Sequence, residues 1–367
     1  GEVRSFTVFR KETLGKVILV GLGKKDAAGF ETIRKAVSAV IKEATRIKAK
    51  ILALTPIGHT SAVQESDIVR IISEIALLSA YSFDTYKTEK NKISLKQLLI
   101  TCKDSDSPAT REGLREGLVL GRATALARDL VNEPANVLTP GELANRVREL
   151  GGKSGFEVEI FDEDRIRDLG MKAFLEVSRA SVNPPRLIVM RYDGTGRDNA
   201  ETVALVGKGL TYDTGGLSIK TNDQMDTMKR DMGGAASVIG AMSAVSQLKL
   251  KARVVGVVAT CENMISGDSY RPGDIIGSMA GKTIHVGNTD AEGRLTLVDA
   301  IHYAIEKEGA DRIVDLATLT GDATRMIGHA ADIVISNDDG MYKALEKASE
   351  RSGERVWRMP VFDEHRE

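Results

Sequence analysis

Apolar and polar positions alternate along this chain in two periods, and the switching between them sets the expected fold. Residues 16–22 (KVILVGL) form an apolar run rich in β-branched residues. Residues 28–46 then place Ile33, Val37, Val40 and Ile41 at helical spacing. A second apolar run at 50–55, a helical stretch at 66–82 and a third run at 93–101 repeat that order, so the first hundred residues predict a small α/β domain. The polar segment KDSDSPAT at 103–110 has turn chemistry, and Thr110 is placed to cap a helix running to about 131. Two prolines in NEPANVLTP interrupt that helix. Beyond them the pattern predicts helix 141–151, strands 156–161, 186–192 and 202–207, helix 233–248, strand 252–259, helix 296–308 and strand 312–318. Strands spaced by helices imply a largely parallel sheet covered on both faces. The expected architecture is α/β, with a smaller amino-terminal α/β domain (1–108), a connecting helix (109–133) and a larger α/β domain (134–367) around a central, mostly parallel, mixed sheet.

Length and charge sharpen this picture. A chain of 367 residues exceeds one ordinary core, which favours two domains. The 51 basic and 52 acidic residues leave a formal net charge of -1, so no global field draws in nucleic acid or an anionic membrane. Cys102 and Cys261 lie far apart without CxxC spacing, which favours a reducing compartment and argues against a disulfide scaffold or a thiolate zinc site. No apolar run approaches the roughly 18 residues that span a bilayer. A cytoplasmic protein is expected. Gly1 in place of methionine and the closing segment RVWRMPVFDEHRE predict trimming at both ends.

Candidate chemistry lies in carboxylates. The five histidines, His59, His285, His302, His329 and His365, include neither HExxH nor any close pair, so a histidine-based zinc site has no support. One stretch, VALVGKGLTYDTGGLSIK at 203–220 followed by MDTMKRDMGGAA at 225–236, delivers Lys208 and Asp213 from a buried strand into a glycine-rich turn, then Lys220 and Asp231. The glycines could equally serve only to turn the chain, with Asp231 a helix cap. A second stretch, GNTDAEGRLTLVDA at 287–300, spaces Asp290, Glu292 and Arg294 by two. If it is extended, all three side chains share a face. Carboxylates brought together repel unless a cation lies between them, and hard oxygen ligands suit divalent ions. Asp213, Asp231, Asp290 and Glu292 are thus enough acceptors for two metals of a hydrolytic centre. A plain surface charge cluster is the competing reading.

NTDAEGRL, the run VGKG-x3-D-x-GG-x-SIK and DMGGAA, in their mutual spacing, closely resemble the leucyl aminopeptidase (cytosol aminopeptidase) family. The resemblance covers the chain from NEPANVLTP onward and, more weakly, the first domain. It implies a metallo-exopeptidase that removes leucine-like residues from peptide amino termini, with two divalent ions (Zn²⁺ or Mn²⁺, with Co²⁺ or Mg²⁺ admitted). One ion would be held by Lys208, Asp213, Asp231 and Glu292. The other would be held by Asp213, Glu292 and Asp290, the last also through its backbone carbonyl. Lys208 would bind as a neutral amine, Lys220 would be catalytic, and Arg294 would cradle a bicarbonate acting as general base. Met228, Thr318, Leu319 and Gly321 would line the peptide. The family also implies a homohexamer of two stacked trimers. YDTGG stands where the family has FDSGG, which keeps the aspartate and a hydroxyl, and family members continue past a VWRMP-like segment, so a carboxy-terminal part is expected to be missing. Another two-metal hydrolase, such as a phosphoesterase, or a DNA-binding regulatory role through the first domain are the alternatives; near-zero net charge weighs against the latter.

Overall fold

The computed structural model describes residues 2–10, 13–24, 29–55, 63–90 and 94–366. His59 and the first residues of the stretches expected at 28–46 and 93–101 lie outside these. By packing, the chain forms two compact units, Gly1–Gly121 with Thr320–Glu367, and Arg122–Leu319. No helix among the described residues is long and apolar enough to cross a membrane.

In the first unit β1 (Val3–Arg10) and β2 (Thr13–Val20) form an antiparallel hairpin. Helix α1 (Phe30–Arg46), strand β3 (Ile51–Leu54), helix α2 (Glu65–Ala80) and strand β4 (Gln97–Ile100) follow, with β3 and β4 paired in parallel. The apolar positions expected at helical spacing, Ile33, Val37, Val40 and Ile41, are buried against Ile68, Ile71 and Ile72 of α2. Helix α3 (Pro108–Asn132) runs across the boundary between the units. It starts two residues before Thr110, which lies within its first turn rather than at its cap. Proline tolerates the first helical position because its fixed φ suits the helix and it has no N–H to leave unpaired. Side chains would obstruct the approach of α2 and α3: a Cβ on Gly113 would lie 2.3 Å from the Ser66 carbonyl oxygen, and one on Gly117 2.1 Å from Ser73 Oγ.

The second unit continues with α4 (Pro140–Ser154), β5 (Glu157–Phe161), α5 (Glu163–Asp168), α6 (Lys172–Ser178), β6 (Arg186–Asp193), β7 (Thr202–Asp213), α7 (Asn222–Met225), α8 (Gly233–Gln247) and β8 (Arg253–Asn263). The short pair β9 (Ile275–Gly277) and β10 (Thr283–His285), α9 (Gly293–Glu306) and β11 (Arg312–Leu316) complete it. Beyond Thr320, α10 (Asp322–Ile327), β12 (Asp332–Val334), α11 (Asp339–Ser352) and β13 (Val356–Arg358) belong to the first unit.

The central sheet has the order β11-β7-β8-β6-β5. β11, β7 and β8 pair in parallel, β6 is antiparallel to β8, and β5 is antiparallel to β6. Only β6 therefore runs against the rest. A loop alone joins β6 to β7, which lies on the far side of β8, and the chain reverses direction between them. Alternate residues of the buried strands enter two cores. Leu187 and Val189 pack with Phe174, Leu297 and Ala300, whereas Ile188 and Met190 pack with Leu143, Val147 and Val238. Helices thus cover both faces, as near-continuous apolar strands require. Where α8 begins, backbone contact replaces side chains, since a Cβ on Gly234 would lie 1.9 Å from the Leu316 carbonyl oxygen.

Candidate metal centre

The carboxyl ends of β7, β8 and β11 converge, the location where open α/β sheets gather ligands. Lys208 and Asp213 both come from β7. Five residues apart, they would face opposite sides of a regular strand. The pairing of β7 with β8 slips between Leu210 and Tyr212, so one extra residue is accommodated and both side chains reach the same cluster.

Asp231 leaves a 3₁₀ turn over Met228–Arg230, just before α8. It does not cap that helix; its carboxylate instead accepts from Lys208 Nζ at 2.8 Å and from Thr318 Oγ1 at 2.7 Å. Lys208 Nζ also pairs with Glu292 Oε1 at 2.8 Å and donates to the Thr318 carbonyl at 3.1 Å. Lys220 Nζ lies 2.8 Å from Asp213 Oδ2 and contacts Asp290 Oδ1 as well.

The segment carrying Asp290 and Glu292 is not extended, so the condition under which Asp290, Glu292 and Arg294 would share a strand face is not met. Thr289–Ala291 is a 3₁₀ turn, fixed where Asn288 Oδ1 accepts from the Asp290 amide at 2.8 Å, and Glu292 stands immediately before α9. Leu295, Thr296, Asp299, Ala300, Tyr303 and Ala304 supply a buried helical stripe, which outweighs the short alternation preceding it. The carboxylates converge through the turn. Arg294 is left exposed on the first turn of α9, with no hydrogen bond or ion pair among the described residues. Backbone packs closely here too, since a Cβ on Gly293 would sit 2.4 Å from Lys208 Cε.

Charge and burial dominate this centre. Lys208, Asp213, Asp231 and Glu292 are each at most 4 % exposed, and Asp290 and Lys220 are half-buried. Four carboxylates face two ammonium groups, an excess of two negative charges in a desolvated place. Burial raises the pKa of Asp231 and of Glu292; Lys208 opposes the shift, and Asp213 adds to it. For Lys208 burial acts downward, but Asp231 and Glu292 outweigh it and the net shift is upward. The pKa of Lys220 is likewise raised by Asp213 and Asp290 against the pull of burial. Oxygens of Asp213, Asp231 and Glu292 lie within 4.8 Å of one another, and Glu292 Oε2 has no hydrogen-bond partner among the described residues. A buried, unpartnered oxygen within a cluster of hard donors fits a divalent cation.

Sequence reasoning missed the frame around these groups. Asn263 Nδ2 donates to Asp213 Oδ1 at 2.8 Å and to the Thr289 carbonyl at 3.1 Å, and Tyr270 OH donates to that carbonyl at 2.7 Å. Thr289 Oγ1 accepts from the Ser218 amide and donates to the Gly215 carbonyl. The available signal was the polar ending, Glu262 and Asn263, of a strand whose stretch from Val254 to Ala259 is apolar. Of the residues expected along the peptide, Met228 is half-buried in the 3₁₀ turn, while Thr318 and Leu319 are exposed in the loop after β11. Gly321 precedes α10 in the other unit.

Residues 125–367 match the cytosol aminopeptidase family, catalytic domain, and residues 1–90 match the amino-terminal domain of the same family. The chain belongs to the cytosol aminopeptidase family. A probable cytosol aminopeptidase of Clostridium perfringens is 47% identical over 368 residues, covering 100% of this chain and 74% of that protein. Its counterpart from Aquifex aeolicus is 40% identical, covering 97% and 72%. Among solved structures, the bottromycin maturation enzyme BotP in complex with Mn superposes with a TM-score of 0.90 at 34% identity, covering 100% of this chain and 77% of that one. Membership makes the protein an enzyme of an aminopeptidase family, a hydrolase whose substrates are peptides, and the buried acidic cluster accords with the metal dependence of cytosol aminopeptidases.

Proposed function

We propose that this protein is a cytoplasmic leucyl aminopeptidase using two divalent ions, Zn²⁺ or Mn²⁺. The observation that carries this reading is the convergence of four carboxylates on only two ammonium groups in a buried place. One ion is assigned to Lys208, Asp213, Asp231 and Glu292, the other to Asp213, Asp290 and Glu292. Bound there, the ions would polarise the scissile carbonyl and lower the pKa of water. Lys208, whose ammonium lies between Asp231 and Glu292, would serve as a neutral amine only with a dication bound there, its proton passing to solvent. Lys220 keeps its proton and aims the ammonium at the oxyanion that develops on the peptide carbonyl. Thr318 holds Asp231 in place through its hydroxyl. Exposed Thr318 and Leu319, with half-buried Met228, offer the peptide a surface on which a leucine-like side chain can rest. The guanidinium of Arg294, exposed and without a partner among the described residues, would be the group to hold a bicarbonate, which would supply the general base.

Family membership also motivates a hexamer of two stacked trimers, which would admit only short peptides; a single-subunit mass in light scattering would remove that part of the reading. The metal requirement has a simple check. After exhaustive chelation, hydrolysis of leucine p-nitroanilide is expected to fall to background and to return with Mn²⁺ or Zn²⁺. Full activity of rigorously metal-free protein would contradict the proposal.

A further inference from the structure

Asn263 is fully buried, yet no step above uses it. It closes β8 beside Asp213, the last residue of β7, and the two are partners in the sheet register. Its two Nδ2 protons go to two acceptors, Asp213 Oδ1 at 2.8 Å and the Thr289 carbonyl at 3.1 Å. Its own Oδ1 is buried with no hydrogen-bond partner among the described residues. Turning the amide over would press that oxygen against a carboxylate and a carbonyl, so the chemistry of the neighbours fixes the orientation. An unpaired buried acceptor is costly, and an apolar residue of the same shape would avoid it. The fold keeps the amide where two donors are needed at one point.

Those donors have a definite consequence. Asp213 Oδ1 is occupied by Asn263 Nδ2 and by the Gly215 amide at 2.8 Å, which leaves Oδ2 facing Lys220. The second proton ties the strand end to the turn that carries Asp290, a carbonyl also gripped by Tyr270. We infer that Asn263 is a positioning residue, which sets the oxygen of Asp213 presented to a cation and locks the Asp290 turn to the end of β8. This rests on the metal-centre reading above, and it adds a residue outside the ligand set.

The test uses Asn263→Leu, which keeps the branching and removes both donors, and Asn263→Ser, which keeps one donor in a smaller volume. Mn²⁺ affinity is read from the loss of the free-ion paramagnetic resonance signal, alongside kcat and KM for leucine p-nitroanilide at saturating Mn²⁺. Loss of an outer partner of a metal ligand typically weakens metal affinity or activity about 10- to 100-fold. That drop is expected for Asn263→Leu, in affinity and in kcat, with KM little changed and a smaller loss for Asn263→Ser. Folded variants with parental Mn²⁺ affinity and parental kcat would overturn the inference, and if Asn263→Leu does not fold, Asn263→Ser decides it. A parental protein that takes up no Mn²⁺ would overturn the metal-centre reading together with this one.

Discussion

Glu292→Gln is expected to raise the unfolding midpoint of the metal-free protein while abolishing its stabilisation by Mn²⁺ and its peptidase activity. The two signs share one cause. In the metal-free cluster Glu292 is a fourth carboxylate around two ammonium groups, and burial with its acidic neighbours lifts its pKa above the ordinary carboxylate range. The charged form therefore opposes folding near neutral pH. The amide oxygen of glutamine still accepts from Lys208, while its NH₂ replaces the unpartnered Oε2. Each unit of relieved pKa shift corresponds to about 1.4 kcal/mol, so a gain on the order of 1 kcal/mol or more is expected. Because the folded pKa is raised, the stability that protonation of this group contributes is fully present below its unfolded pKa. It is lost as pH rises through the folded value, and that part of the pH dependence should vanish in the variant. With Mn²⁺ at a hundred times its Kd the parent should gain about 2.7 kcal/mol for each site occupied. The variant should gain nothing at that concentration. Thermal melts with and without Mn²⁺ measure both effects, and parental Mn²⁺ stabilisation in Glu292→Gln would remove Glu292 from the ligand set.

Lys220→Ala should behave in the opposite way. Removing the ammonium leaves Asp213 and Asp290 without their shared cation, so the metal-free protein should be less stable and Mn²⁺ affinity should hold or increase. Catalysis should suffer most. Loss of one donor to a developing oxyanion typically lowers kcat by about 10²–10³-fold. Steady-state kinetics at saturating Mn²⁺ with a parallel Mn²⁺ titration would separate the roles. A parental kcat would show that Lys220 acts only as a counter-ion.

Much of this centre was legible because its parts lie in short local patterns. The apolar run before Lys208 announced a buried strand, the glycines after Asp213 announced a turn, and the pattern over 233–248 announced the helix that follows Asp231. What escaped depended on relations between segments. A one-residue slip inside β7 decides that Lys208 and Asp213 share a face, and it arises from pairing with β8 rather than from any residue of β7 alone. The alternation of Asp290, Glu292 and Arg294 imitated a strand over a few residues, while the helical stripe that overrides it lies downstream, from Leu295 to Ala304. The reversed course of β6 had a signal in the sequence, the short interval without a helix before β7. Asn263 acquires its role only once β7 and β8 are side by side.

The central claim is that Lys208, Asp213, Asp231, Asp290 and Glu292 hold two divalent ions from which the protein's peptidase activity derives. Anomalous diffraction from crystals equilibrated with Mn²⁺ tests it most directly. Two peaks are expected, one among Lys208, Asp213, Asp231 and Glu292 and the other among Asp213, Asp290 and Glu292, with Lys208 Nζ drawn from an ion pair into a ligand. Crystals of active protein with no anomalous peak at these carboxylates, or with Mn²⁺ bound only elsewhere, would contradict it.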